Sequence, residues 1–198
     1  KGRPGLNSGS RIDWPRTLAT KATAALERKH LRLRALPAGS GVLNCVLLDC
    51  SASMLQGSRL ALAKGLLLEW TAQFYRRRED LTVIGFGGEQ ANLLQAPRKT
   101  VAFNTAWIAE IAGGGATPAG SAVALADAVL AKRRRSMREQ HVVLWLLTDA
   151  RFDEIPPRPR QADVCMVVDF DDGALTLGRA ARIAQAWGAQ CWPAIELG

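Results

Sequence analysis

Histidine is almost missing from this sequence: His30 and His141 are the only two in 198 residues. A serine nucleophile at Ser51 or Ser53 would need a histidine base. His141 opens a segment whose far end carries Asp149, which puts it on the wrong side for that role. Cysteine is scarce too. Cys45, Cys50, Cys165 and Cys191 form no CxxC pair, and three lie in apolar runs. They read as buried free thiols of a reducing cytosol rather than as disulfide or zinc ligands. Aromatic residues make up 6%, and the six tryptophans are scattered, which suits core anchors better than a base-stacking platform. Residues 111–126 form the longest stretch without Asp, Glu, Lys or Arg, and Gly113, Gly114, Gly115, Pro118 and Gly120 interrupt it, so no membrane helix is expected. The opening Lys1-Gly-Arg-Pro-Gly has no apolar core and no Met. It lacks the shape of a signal peptide and fits a trimmed chain or a piece of a longer one, acting in the cytoplasm. Neither GxGxxG nor GKS/T follows the glycines at 113–115, which leaves them as a bend rather than a phosphate loop. Asp169-x-Asp171-Asp172-Gly173 hints at a calcium loop. A twelve-residue loop would end at Ala180 or Arg182, so the closing Glu is missing.

What the chain does have is core-forming bulk and positive charge. Its 198 residues suit one domain, or one domain with an extension. With 48% hydrophobic and 22% charged residues, usage is ordinary for a globular protein. Lys and Arg number 26 against 18 Asp and Glu, a net +8 that points to an anionic partner: nucleic acid, an anionic membrane surface or an acidic protein. The excess is uneven. In residues 1–40 nine Lys and Arg oppose only Asp13 and Glu27, so +7 of the +8 sits in this leader. The pattern predicts a basic N-terminal extension over 1–40, with a helix over 15–30 and a strand over 31–36, and then the main domain over 41–198. Clusters at Arg76-Arg77-Arg78 and over 132–135 fall at predicted helix C-termini, where cations complement the helix dipole.

From Val42 the pattern changes. Residues 42–48 are continuously apolar, as expected of a strand buried on both faces. An amphipathic helix follows over 58–78, with Leu60, Ala63, Leu67, Trp70 and Phe74 on one stripe. Further strands are predicted over 81–86, 140–148, 164–168 and 191–195, with a short one at 91–94. Helices are predicted over 104–112, 118–134 and 175–187. This alternation predicts an α/β fold: a doubly wound, mostly parallel central sheet with helices on both faces. Such sheets bind ligands at the carboxyl ends of their strands. There the sequence puts Asp49-Cys50-Ser51-Ala52-Ser53, then Thr148-Asp149-Ala150, and a glycine bend carrying Thr117. Alternation in an extended loop points Asp49, Ser51 and Ser53 the same way. Hydroxyls and carboxylates on one rim are the ligand set of a hard divalent cation such as Mg2+.

Asp49-x-Ser51-x-Ser53, Thr117 and Asp149, in this order and strand context, together resemble the metal-ion-dependent adhesion site of von Willebrand factor type A domains, a Rossmann-like family. The resemblance covers about residues 40–198. It implies that Ser51, Ser53 and Thr117 bind a metal directly or through water, and that Asp49 and Asp149 bind mostly through water and supply negative charge. It implies Mg2+ as the ion, with Mn2+ or Ca2+ as substitutes, and Met54, Gly115, Ala116 and Arg151 as partner-binding neighbours. The stretches LLDCSASMLQGSRLALAKG, GGGATPAGSAVALADAV and LLTDARFD, with the step Ser53-Met54-x4-Arg59-Leu60, are similar to the C-terminal domain of D-type subunits of magnesium and cobalt chelatases. Ala52 and Ala150 stand where the family usually has Gly, and Ala116 separates the glycines from Thr117. Each added methyl costs little only where φ stays negative.

That resemblance implies a non-catalytic adaptor: an accessory subunit of an ATP-driven chelatase that inserts magnesium or cobalt into a tetrapyrrole, for chlorophyll- or cobalamin-type biosynthesis. Its implied partners are an AAA+ ATPase subunit and the large chelatase subunit, one of which supplies an acidic residue to the metal. No membrane and no nucleic-acid partner is expected on this reading. The alternatives are an adaptor for another AAA+ ATPase, of the MoxR type, and a basic nucleic-acid-binding protein.

Overall fold

The computed structural model describes residues 10–12, 33–35, 41–101, 108, 111, 113–115, 117–152, 154–171 and 178–197. The chain divides into two compact units, Lys1–Ser40 and Gly41–Gly198. In the first, the described residues form two short strands, β1 (Ser10–Ile12) and β2 (Leu33–Ala35), paired antiparallel. β2 falls inside the strand predicted over 31–36. The helix predicted over 15–30 lies outside the described residues.

The second unit contains β3 (Val42–Asp49), β4 (Asp80–Gly87), β5 (Gln90–Lys99), β6 (His141–Thr148), β7 (Val164–Asp169) and β8 (Gln190–Pro193). They form one sheet in the order β5-β4-β3-β6-β7-β8. Every neighbouring pair is parallel except β4 with β5. The long helices are α1 (Arg59–Arg76), α2 (Ala119–Ser136) and α3 (Arg179–Trp187), and a 3-10 segment, Ala52–Ser58, leads into α1. Alternation along β3 sorts the core. Leu43, Cys45 and Leu47 face one way and pack with Ala122, Val123 and Ala126 of α2 and Ile183 and Trp187 of α3. Val46 and Leu48 face the other way and pack with Leu60, Ala63, Leu67, Trp70 and Phe74 of α1. All eight residues of β3 are buried, as their continuous apolar run predicts. Each such buried aliphatic side chain contributes about 1.5–3 kcal/mol of burial. The fold is therefore the doubly wound α/β sheet with helices on both faces.

β5 is longer than the predicted 91–94 strand. It runs ten residues as an antiparallel edge, mostly exposed. Pro97 and Arg98-Lys99 disguise it in sequence, yet an edge strand tolerates both because one side needs no ladder partner. α3 begins at Arg179, and residues 172–177 lie outside the described set. Of the helix predicted over 104–112, Ile108 is described as helical and is buried. The strand order reverses between β3 and β6: β3 leads through α1 to β4 on one side, and β6 is followed by β7 on the other. In open α/β sheets that reversal opens a crevice at the carboxyl ends of the two strands.

Candidate metal centre

β3 and β6 run in register, with Leu48 opposite Leu147, so Asp49 and Asp149 emerge side by side at the crevice. Asp49 is 0% exposed, and Ser51 and Asp149 are buried beside it. The Ser51 N–H donates to Asp49 Oδ1 at 2.9 Å, and Thr148 Oγ1 donates to Oδ2 at 2.5 Å. Ser51 Oγ lies 3.1 Å from Ser53 Oγ, which in turn donates to Asp149 Oδ1 at 3.0 Å. The extended backbone at Ser51, just before the 3-10 segment, turns both hydroxyls toward the two carboxylates.

A glycine loop brings in Thr117. The Gly114 N–H donates to Cys50 O at 2.7 Å, and the Ala52 N–H donates to Gly115 O at 3.2 Å, which fastens this loop to the one holding the serines. Gly115 has φ +79°, and a Cβ there would come within 2.4 Å of Gly88 Cα. Only glycine fits that approach. Thr117 then opens α2 and lines an open cleft together with Ser51, Ser53, Arg151 and Glu154.

Burial pushes the Asp49 carboxyl above the usual carboxylate range. Hydrogen bonds from Ser51 and Thr148 pull it back, and the like charge of Asp149 adds to the upward push. No cationic side chain pairs with Asp49 among the described residues. Asp149 is treated differently. Arg59 Nη1 stands 3.4 Å and Arg151 Nε 3.6 Å from its Oδ2, and the Arg151 N–H reaches Oδ1 at 3.3 Å. Arg151 also pairs with Asp171 at 3.2 Å. Burial raises Asp169, at the tip of β7, in the same direction as Asp49.

This donor set fits a hard divalent cation. Adjacent oxygens around an octahedral Mg2+ at about 2.1 Å stand about 3 Å apart. The Ser51–Ser53 and Ser53–Asp149 oxygen spacings of 3.1 and 3.0 Å match that edge. Among the described residues no group of three or more His, Cys, Asp or Glu side chains is placed to hold a metal, so an ion here would depend on the hydroxyls. The thiols are poorly suited to the task. Burial pushes Cys50 up to about 12 and Cys165 and Cys191 up to about 11, which keeps them protonated, and all four cysteines are free.

The fold thus brings Asp49, Ser51, Ser53, Thr117 and Asp149 to one crevice, bordered by exposed Gly115 and Arg151. Ala116 lies outside the described residues. Met54 does not belong with the partner-facing residues. It is 0% exposed and packs into the core beneath α1, because the tight 3-10 turn directs it inward. Ala150 does not meet the condition for an inexpensive methyl: its φ is +52°, in the left-handed region. His141, at the far end of β6, stands 3.3 Å from Asp163, away from the crevice as expected. Sequence reasoning missed two contributors to the site. Thr148 was visible in the Thr-Asp pair, and Arg59 in the step five residues beyond Met54.

Residues 45–151 match the von Willebrand factor type A domain. The chain is 29% identical over 160 residues to Uncharacterized protein Rv2850c of Mycobacterium tuberculosis, covering 75% of this chain and 25% of that protein. It is likewise 29% identical over 161 residues to the Magnesium-chelatase 60 kDa subunit of Cereibacter sphaeroides, covering 74% of this chain and 28% of that subunit. The chain therefore spans about a quarter of the length of the curated relatives it matches. The solved VWA domain of SpRpn10 superposes with a TM-score of 0.53 at 14% identity, over 77% of this chain and 87% of that one, which is a likeness of fold. No helix among the described residues is long and apolar enough to cross a membrane. The domain match covers more than half of the sequence, and on that ground the chain belongs to the von Willebrand factor type A domain family.

Proposed function

We propose that the Gly41–Gly198 unit is a metal-dependent adhesion module. Asp49, Ser51, Ser53, Thr117 and Asp149 hold a Mg2+, for which Mn2+ or Ca2+ can substitute, and an Asp or Glu from a partner completes the shell. The observation that carries this reading is Asp49: a fully buried carboxylate with a like-charged neighbour and no cationic partner among the described residues. An uncompensated buried charge costs several kcal/mol, and a divalent cation removes that cost. Asp149 is already neutralised by Arg59 and Arg151. A loaded site therefore keeps net positive charge, which suits capture of an anionic side chain rather than tight caging of the metal. The bound ion would supply the attraction for the incoming carboxylate, and the chain's own residues orient it toward the open cleft.

The similarity to a magnesium-chelatase subunit supports a role as an accessory adaptor in an ATP-driven, cytoplasmic chelatase, working with an AAA+ ATPase and the large subunit that holds the tetrapyrrole. The module would work the same way for another AAA+ ATPase, of the MoxR type, and partner capture distinguishes the two clients. Calorimetric titration with MgCl2 should give binding to the wild type and none to Asp49→Ala. Capture of an AAA+ partner from the source cell should need Mg2+, and both EDTA and Asp49→Ala should abolish it. Capture that persists in EDTA sinks the reading.

A further inference from the structure

The end of the sheet away from the candidate metal centre carries a cluster that the adhesion reading does not use. Where β3, β4, β6 and β7 begin, three basic segments converge: Arg76-Arg77-Arg78 across the end of α1, Arg98-Lys99 closing β5, and residues 132–135 at the end of α2 with Arg138 just beyond it. Contacts tie them together. Lys99 Nζ donates to Arg78 O at 2.9 Å and stands 3.0 Å from Asp80 Oδ1, while Arg133 pairs with the same carboxylate. Arg134 pairs with Asp163 at 2.9 Å. Those pairs engage the nearby aspartates. Arg76, Arg98, Lys132, Arg135 and Arg138 remain exposed, and their side chains make no ion pair or hydrogen bond among the described residues. Apolar side chains sit next to them in the chain: Tyr75, Val101 and Met137 are 48%, 51% and 39% exposed.

Helix-dipole complementarity explains only part of this cluster, because it fades beyond the last turn. Arg77 and Arg78 lie past α1, Arg138 lies past α2, and Arg98 is on a strand. Arg78 has φ +56°, at a helix end where glycine is the unstrained choice. An exposed cation is kept there against the backbone's preference.

We infer that this rim is a second interaction surface, one that fits an acidic polypeptide segment alternating carboxylates with apolar side chains. Arginine forks pair with carboxylates through two hydrogen bonds at once, and Tyr75, Val101 and Met137 give the apolar residues a place to lie. A nucleic-acid backbone would use the cations but not the aliphatic contacts. Among the described residues Trp70 and Trp187 are buried and Tyr75 is the exposed ring next to these cations, which gives bases little to stack on. The surface lies about 25 Å, one eight-residue strand, from the metal centre, so both can be engaged together.

The test is fluorescence anisotropy of a labelled peptide of alternating Glu, Asp and Leu with the full chain, in EDTA so that the metal centre contributes nothing. Binding should weaken steeply with salt. The double reversal Arg135→Glu with Arg138→Glu, at exposed and unpaired positions, should weaken it by about tenfold or more. Arg78→Gly should raise Tm while weakening binding, a split that a purely structural role would not produce. Three outcomes would overturn the inference: equal affinity for the Gln/Asn counterpart of the peptide, unchanged affinity in the double reversal, or tighter binding by single-stranded RNA or phosphatidylserine vesicles than by the peptide. Because EDTA is present throughout, failure here leaves the metal-site proposal standing, and the reverse also holds.

Discussion

The two rims of the sheet each bury a carboxylate at the tip of a strand, and they handle its charge in opposite ways. Asp80, the first residue of β4, is 1% exposed and is surrounded by Arg133, Lys99 and the Gln140 amide, whose Nε2 donates at 2.8 Å. Asp49, the last residue of β3, is 0% exposed and has a hydroxyl, a backbone N–H and a second carboxylate for company. The first arrangement is electrostatically complete within the chain. The second has no such cation within the described residues, and on the proposed reading a divalent ion from outside completes it. Burial alone would have made these two residues look alike, and their partners tell them apart.

The most direct way to break this comparison is to delete both charges. Asp80→Ala leaves the Arg133 guanidinium without its carboxylate. Removing one partner of a buried pair costs about 3–5 kcal/mol, and a figure nearer 2–3 kcal/mol is expected here because Lys99 is largely exposed. Asp49→Asn removes a charge that has no cationic partner, so without metal it should change stability by less than about 1 kcal/mol, or raise it. Urea denaturation in EDTA measures both. An Asp49→Asn loss as large as that of Asp80→Ala would mean that Asp49 is a structural charge like its counterpart.

A second contrast concerns pH. Glu79, beside Asp80, is half-buried. Burial raises its carboxyl above the usual range, against the Asn44 Nδ2 hydrogen bond of 2.9 Å and the charges of Arg77 and Lys99. A raised folded-state value means that the stabilising contribution is complete below the unfolded value of 4.5 and is lost as pH rises through the folded value. Glu79→Gln keeps an acceptor for Asn44 and removes this loss. The variant should gain on the wild type as pH rises above 4.5 and level off toward neutrality. Partial exposure limits the gain to under about 1 kcal/mol. Denaturation midpoints across pH provide the check, and a gap that stays constant with pH would contradict the assignment.

Much of the rim that carries Asp49 and Asp149 was legible in the sequence, because its information is local. The continuous apolar runs of β3 and β6 predict buried strands, and a strand's end fixes where the next residues emerge, so Asp49, Ser51, Ser53 and Asp149 follow. What stayed hidden depends on turns and on long-range pairing. The inward direction of Met54 is set by a 3-10 turn that the extended-loop reading of Asp49 to Ser53 does not contain. Arg59 reaches Asp149 across ninety residues of sequence, which no periodicity reveals. β5 is recognisable only from its partner β4, since its own pattern is that of an exposed edge.

The smallest expected effect separates the rims most finely. Arg78 and Ala150 both have left-handed backbones, with φ +56° and +52°, and they lie at opposite ends of the sheet. A non-glycine residue there costs about 1–2 kcal/mol, and a glycine gives back about 0.4–1 kcal/mol by loosening the unfolded chain. For exposed Arg78, Arg78→Gly should therefore stabilise by about 0.5–1 kcal/mol. Ala150 is 1% exposed and its methyl belongs to the core shared with α2. Losing that methyl costs a further amount of about 0.8 kcal/mol. Ala150→Gly should then come out near zero, although it restores the residue usual at this position in the family. The comparison is a pair of urea midpoints measured side by side. If Ala150→Gly stabilises as much as Arg78→Gly, the methyl contributes nothing to the core and the turn after Asp149 is purely strained. If it destabilises instead, that methyl holds the loop carrying Asp149 against the sheet, and the strain is the accompanying cost of keeping the carboxylate at the crevice.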